Sequence, residues 1–395
     1  MDHPSRPDPG ARGRDPDTAR QIWPLLVGYW AFGQFWGVWV ILVYEFQQAH
    51  GIADARLGLL YASLSVVAIL VMLMVAPRLQ PLSMSATTSI SLASLGIGAF
   101  AIGYLPTGAI LLGFMLVGVG NGLIDVFLNV AAQRVEVDTR KPVLQWIHAG
   151  YALGGLAGAL VAGIVITTGH DYRLGLAYSG LCLFATATWN RRTAPKERRR
   201  EGPQTMLSVS AFRRSPVLWI PALVVLFAFL IEGSMDTWSG LYLRDQLGAT
   251  AGAAAIAFAA FAGAVFLGRM FAGKVLFGLG PRKTIIVAGI GSLAGALIAA
   301  LAHSAVVAGL AFLLLGFALS SAGPAGFGLV EASDEDPVHA IAAVTTVGYT
   351  GFIWSPPLLG WVAQTFSLRA TMAVVVIATI GLIGAGLIAP HTAEG

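Results

Sequence analysis

The sequence predicts an all-α polytopic membrane protein with twelve transmembrane helices arranged as two groups of six. Three observations predict it. Of 395 residues, 56% are hydrophobic and only 11% are charged, against about 25% charged in a soluble domain. The apolar runs are long and continuous, each near the roughly 20 residues that span a bilayer as a helix. The basic residues, finally, fall almost entirely on one side of a twelve-span plan. This composition excludes a soluble enzyme, a nucleic-acid binder and a disordered chain. An outer-membrane barrel is excluded as well, because its strands alternate polar with apolar residues.

Residues 1–20 mix Pro, Asp and Arg and read as a short disordered cytoplasmic tail without a cleavable signal. Apolar segments follow at 22–46, 57–77, 84–104, 108–131, 144–168 and 174–190, then at 216–242, 251–273, 284–302, 305–330, 340–364 and 369–389. The sixth is the shortest and spans only if Asn190 and Arg191 sit at the interface. The longest polar interruption, 191–215, carries Arg191, Arg192, Lys196, Arg198, Arg199, Arg200, Arg213 and Arg214. It is a basic linker dividing a first bundle, 21–190, from a second, 216–390.

The positive-inside rule gives the orientation. With both termini cytoplasmic, 20 of the 24 Lys and Arg residues lie inside. Only Arg56, Arg173, Arg244 and Arg369 lie outside. Shifting the count by one helix destroys the asymmetry, so the tally also supports twelve spans. One inner loop dissents: 331–339 carries Glu331, Asp334, Glu335 and Asp336 without Lys or Arg, although acidic residues weigh little in this rule. The single cysteine, Cys182, excludes a disulfide framework and a Cys-based metal site. No phosphate-binding loop or metal-ligand spacing is present, so neither metal nor cofactor is expected.

Several segments carry a family resemblance. Gly268-Arg269 to Gly273, followed by Gly280-Pro281-Arg282-Lys283, is similar to the loop signature between the second and third helix of a half in the major facilitator superfamily. The acidic position of that signature falls on Phe277. The fourth helix, Gly118 to Asn129 with Asn121 and Asp125, resembles the fucose:proton symporter-like branch. The fifth, Gln145-Trp146-Ile147-His148 onward, resembles the same branch and its bacterial inner-membrane relatives. The seventh, with Glu232-Gly233 and Asp236-Thr237-Trp238-Ser239, is similar to those relatives too. The resemblance implies two six-helix bundles rocking about a central cavity, a monomeric, multi-pass protein of the bacterial inner membrane, and no enzymatic activity. It implies partners limited to lipid, a small-molecule solute and protons.

Asn121, Asp125 and Asn129 recur every four residues and share one helix face. Asp125 lies nine residues before Arg134, about 13 Å from the inner boundary. Burying a carboxylate at that depth costs at least about 2.5–3.5 kcal/mol. The branch resemblance assigns Asp125 to proton coupling; the bland alternative is a carboxylate held permanently by helix-end donors or one arginine. Gln145, His148 and Tyr151 occupy i, i+3 and i+6 of the fifth helix, with His148 near the depth of Asp125 and able to relay a proton or donate to a substrate. A packing role is its alternative. Glu232 and Asp236, one turn apart, repel when both are charged, so one carries a proton or pairs with a base. Both are candidates for coupling; a gate or packing network is the alternative.

Trp30, Gln34 and Trp36 on the first helix, Trp238 on the seventh, and Tyr349 and Thr350 on the eleventh offer aromatic faces with amide and hydroxyl groups. Such faces suit a solute with an apolar face and polar rim, yet interfacial anchoring and bonding to the helix's own backbone explain Trp and Thr equally. Arg269 is expected to snorkel at an inner helix end, a gating or structural residue together with Gly273 and Arg282. The expectation is proton-coupled symport of a small polar, sugar-like solute. The alternatives are proton-coupled efflux of drugs or metabolites and a non-transporting receptor on a transporter fold. Within the fifth-helix motif of superfamily antiporters, Gly150, Gly154 and Gly158 match, but Gly155 replaces the proline and Ala159 the last glycine, which leans towards import.

Overall fold

The structure, a computed structural model, describes residues 16–79, 81–139, 141–194, 209–335 and 337–390. Among them the chain is helical throughout and contains no strand. Most of the expected linker, 195–208, and the tail up to residue 15 lie outside the described residues. The helices are α1 (Pro16–His50), α2 (Asp54–Leu79), α3 (Met84–Tyr104), α4 (Thr107–Thr139), α5 (Val143–Thr167) and α6 (Tyr172–Thr193). The second group is α7 (Pro216–Gln246), α8 (251–279), α9 (281–301), α10 (Ala305–Gly328), α11 (Pro337–Thr365) and α12 (Ala370–Ile388).

Helix boundaries follow capping chemistry. Ser83, Thr250 and Ser304 each accept a bond from the backbone three residues on, and Asp171 from Arg173, supplying acceptors to the open first turn. Gly280, at φ 73°, breaks what is otherwise one continuous rod; a side chain is disfavoured in that left-handed region. Pro281 then starts α9, where its missing N–H costs nothing. Two helices exceed their apolar runs. The first extends back to Pro16, so residues 16–20 of the expected tail are helical. The sixth runs 22 residues and takes in Arg191 and Arg192, which gives about 33 Å of rise, enough to span. From the linker's other end, Val209–Arg214 forms a short helix.

Short turns make successive rods antiparallel, so alternate ends collect on two faces. Arg78, Lys141, Arg191, Arg192, Arg214, Lys274 and Lys283 gather on one, here the basic face; Arg56, Arg173, Arg244 and Arg369 lie on the far face. The dissenting acidic loop is answered there: Glu335 pairs with Arg214 at 2.6 Å.

Within the first bundle α1 packs on α5 and α6, and α3 lies between α4 and α6. In the second, α7 packs on α11 and α12, while α8 and α9 pack on α10. The bundles meet along α1–α7, α2–α11 and α5–α8. Glycine permits the closest of these approaches. A Cβ on Gly33 or Gly37 would fall on the backbone of Tyr151 or Gly155, and one on Gly154 or Gly158 on the carbonyl of Trp30 or Gln34. These i, i+4 pairs let α1 and α5 touch backbone to backbone.

Between the bundles, backbone contact is concentrated towards the far face. Gly58 of α2 meets Gly360 of α11, and Gly240 of α7 leaves no room for a Cβ against the carbonyl of Val40. Pro357 has no N–H to give the carbonyl of Ile353 four residues back. Ser65 of α2 donates to that carbonyl at 2.9 Å instead, so a helix defect on one bundle becomes a bond to the other. The Tyr61 hydroxyl accepts from Trp39 at 2.7 Å and donates to the carbonyl of Thr237 at 3.3 Å. At the rim Glu45 and Arg244 form an ion pair at 2.6 Å, with the guanidinium over the Tyr44 ring.

Candidate functional site

A cavity of about 850 Å³, mouth included, lies between the bundles and is lined by α1, α2, α4 and α5 on one side and α7 and α11 on the other. Every contributing helix presents a single stripe. Tyr29, Phe32 and Trp36 follow helical spacing on α1, as do Tyr61, Ser65, Ala68 and Met72 on α2, and Phe229, Glu232 and Asp236 on α7. Eight of the 21 lining residues are Phe, Tyr or Trp, and the carboxyl and imidazole groups are concentrated on α4, α5 and α7.

Asp125 lies on the α4 stripe, half-buried, and accepts from Asn121 Nδ2 at 3.1 Å. The Asn121 oxygen accepts from Trp36 Nε1 at 3.3 Å. Asn129, a turn closer to the basic face, donates through Nδ2 to the backbone oxygen of Asp125 at 2.8 Å and to the Tyr349 hydroxyl at 2.7 Å. That second bond crosses from α4 to α11. Among the described residues Asp125 makes no ion pair, so the alternative of a carboxylate locked to one arginine is absent from this conformation.

Asp236 is buried and accepts from Tyr151 of α5 at 2.8 Å, again across the two bundles. Its neighbour Glu232 is neutralised: Arg269 Nη2 lies 2.8 Å from both carboxylate oxygens, while Nη1 donates to the carbonyl of His148 at 2.9 Å. The two carboxylates of α7, expected to repel, are thus separated by function, one paired with a base and one with a phenol. A buried ion pair repays its desolvation only with close geometry and further hydrogen bonds, and both are present. Arg269 is only 8% exposed. The expected snorkelling does not occur, because Glu232 gives the guanidinium a closer partner than the water beyond the helix end.

His148 lines the same cavity as Asp125. Its ring packs edge-on against Tyr29, centroids 5.3 Å apart. Gln145 turns away from the cavity and donates to the carbonyl of Arg269. Gln34 and Trp30 do not line the cavity either. The Gln34 amide donates to Ser179 of α6 at 2.8 Å, within the first bundle, while the backbone of Trp30 supports Gly154. Thr350 bonds the carbonyl of Val347 on its own helix. Trp238 is fully buried, donates to the carbonyl of Pro356 at 3.2 Å and packs on Tyr61, placing it in the far-face seal. Gly273 has nothing within 4 Å of where a Cβ would sit, whereas Gly268 packs on Ser320. Arg282 caps the end of α12 through the carbonyl of Leu387 at 2.8 Å.

Sequence reasoning missed Tyr29, Phe32, Tyr61, Phe229 and Phe352 as wall residues, and the Glu45–Arg244 pair. The spacing of the α1 and α2 stripes was a usable signal, but in a wholly apolar helix it competes with every other face. Among the described residues no His, Cys, Asp and Glu cluster could hold a metal ion.

The geometry agrees with known proteins. The sequence pattern of the Major Facilitator Superfamily matches residues 25–356. An uncharacterized MFS-type transporter of Yersinia pestis is 27% identical over 358 residues, 89% of this chain and 91% of that one. A bacterial homolog of the human lysosomal transporter Spinster, solved inward-facing and unoccupied, superposes with TM-score 0.75 at 15% identity, covering 95% of this chain and 98% of that one. The E. coli fucose:proton symporter FucP (N162A) superposes with TM-score 0.64 at 15% identity, covering 93% and 98%. These solved structures share the fold, and the matched pattern covers most of the sequence: the chain belongs to the Major Facilitator Superfamily.

Proposed function

We propose that the protein is a proton-coupled secondary transporter that carries a small polar solute across the bacterial inner membrane by alternating access. The observation that carries this reading is Asp125: an intramembrane carboxyl in a cavity wall, partnered by an amide and by no cation among the described residues. Ionisable groups at such depth are costly and mark ion or substrate pathways by default. Asp125 takes up a proton when the cavity opens to the far face and releases it when the cavity opens to the basic face. His148 on the same wall assists the transfer, and Asp236, with its phenol partner from the other bundle, reports the state of one half to the other.

The basic face is cytoplasmic on the positive-inside rule, with both termini inside. The conformation is then inward-facing, since the tightest inter-bundle packing lies on the opposite face. Aromatic walls with hydroxyl and amide groups suit a ring-bearing solute with a polar rim, as a sugar has. Export is a second reading, favoured by the same carboxyl: a group that holds either a proton or a solute exchanges one for the other.

The test is uptake into proteoliposomes under an imposed pH gradient, using pooled sugars, amino sugars and amphiphilic amines. Accumulation that follows the gradient and collapses with a protonophore is expected. Accumulation indifferent to the gradient contradicts the coupling.

A further inference from the structure

The cavity's charge is unbalanced. Arg269 is consumed by Glu232 and by the carbonyl of His148, which leaves Asp125 and Asp236 facing the same space from opposite bundles without a basic counter-group among the lining residues other than His148. Around them stand aromatic rings, Tyr29, Trp36, Tyr61, Phe229 and Tyr349 among them, contributed by both bundles. An anionic solute would meet carboxylates and no free guanidinium or ammonium. A neutral polyol would find phenol donors in Tyr29 and Tyr349, the Asn121 amide being already engaged with Asp125, but nothing in it would compensate the two carboxylates. Carboxylates within an aromatic enclosure instead suit an ammonium, which gains from ring faces and carboxylate together.

The geometry points to a solute bearing a positively charged nitrogen, a primary or quaternary ammonium on a small polar or ring-containing body, held between Asp125 and Asp236. This rests on the reading of the cavity as the transport site. It deepens that reading by naming the charge of the solute, and Asp236 becomes the specificity-determining residue. Two carboxyls allow one to carry the proton while the other holds the ammonium. No covalent step is involved.

The experiment is ligand-induced thermal stabilisation of the purified full-length protein in detergent, with no gradient applied. The probes are matched pairs: choline against 3,3-dimethyl-1-butanol, glucosamine against glucose, and phenethylamine against 2-phenylethanol, with glucuronate as the anion. The ammonium member of at least one pair is expected to stabilise the protein with at least tenfold higher apparent affinity than its neutral partner. Asp236→Asn is expected to remove that preference. Equal or tighter binding of neutral members or of glucuronate overturns the proposal, as does a panel in which no ammonium compound stabilises. The comparison on the unmodified protein stands even if the variant does not fold. Binding requires no proton movement, so the two readings fail separately. Neutral solutes driven by a pH gradient would end the charge assignment alone; ammonium binding without gradient-driven flux would end the coupling alone.

Discussion

Tyr151 of α5 donates its hydroxyl to Asp236 of α7 at 2.8 Å, joining the two bundles inside the cavity. Asp236 is buried and Tyr151 half-buried in the cavity wall, so the bond orients a carboxyl that otherwise has no fixed donor. Tyr151→Phe keeps the ring and deletes the donor. The buried acceptor then stands alone, at a cost of about 1–3 kcal/mol. A lowered melting temperature and slower solute flux are expected, measured by thermal unfolding in detergent and by liposome uptake; an unchanged melting temperature would mean the bond contributes nothing in this state.

Arg269 and Glu232 should behave as one unit. Removing a single partner leaves a buried charge uncompensated, worth about 3–5 kcal/mol. Arg269→Met alone is therefore expected to destabilise strongly, and Arg269→Met with Glu232→Gln to recover most of the loss. Arg269→Lys is also expected to be defective, since a point-like ammonium cannot reach Glu232 and the carbonyl of His148 together. Additive losses in the double variant, read from a double-mutant cycle of melting temperatures, would contradict the pairing.

Glycine substitutions should separate sharply by place. A methyl at Gly33 or Gly154 would land on backbone atoms of the facing helix, so Gly33→Ala is expected to force α1 from α5 and reduce folded yield. Gly273→Ala meets nothing and replaces a poor helix former, with an expected gain of up to about 1 kcal/mol. Size-exclusion profiles of the two variants decide it. Similar behaviour would show that the α1–α5 contact tolerates widening.

The far-face seal holds the present conformation through Glu45–Arg244, Ser65 to the carbonyl of Ile353, and Tyr61 to the carbonyl of Thr237. Glu45→Gln combined with Ser65→Ala is expected to populate a state open on that face. Spin labels at the exposed positions Leu59 and Trp361 should then show a longer inter-bundle distance added to the original one. A single unaltered distance would place the seal elsewhere.

The rods, their number and the clustering of basic charge were legible in the sequence because each depends on hydropathy summed over many residues. Asn121 and Asp125 were legible as one polar stripe in an apolar helix and do line the cavity, whereas Asn129 on the same stripe lies outside the lining and bonds the Asp125 backbone and Tyr349. Gln34 illustrates what was not. A polar side chain in a membrane helix must turn either to a cavity or to a neighbouring helix, and its choice of Ser179 depends on a residue 145 positions away. Arg269 is the same case: its position near a helix end suggested water, but Glu232, 37 residues earlier, was nearer once the helices packed. Trp36, Tyr151 and Tyr349 were named and line the cavity, but Tyr29, Phe32, Tyr61, Phe229 and Phe352 escaped notice because composition gives an apolar helix no preferred face.

The most direct measurement is proton movement accompanying solute flux in liposomes containing wild-type protein or Asp125→Asn, read with an internal pH-sensitive dye. The account predicts that the variant still exchanges solute down its own gradient but moves no protons with it. Full proton-coupled flux through Asp125→Asn, beside an active wild type, would contradict it.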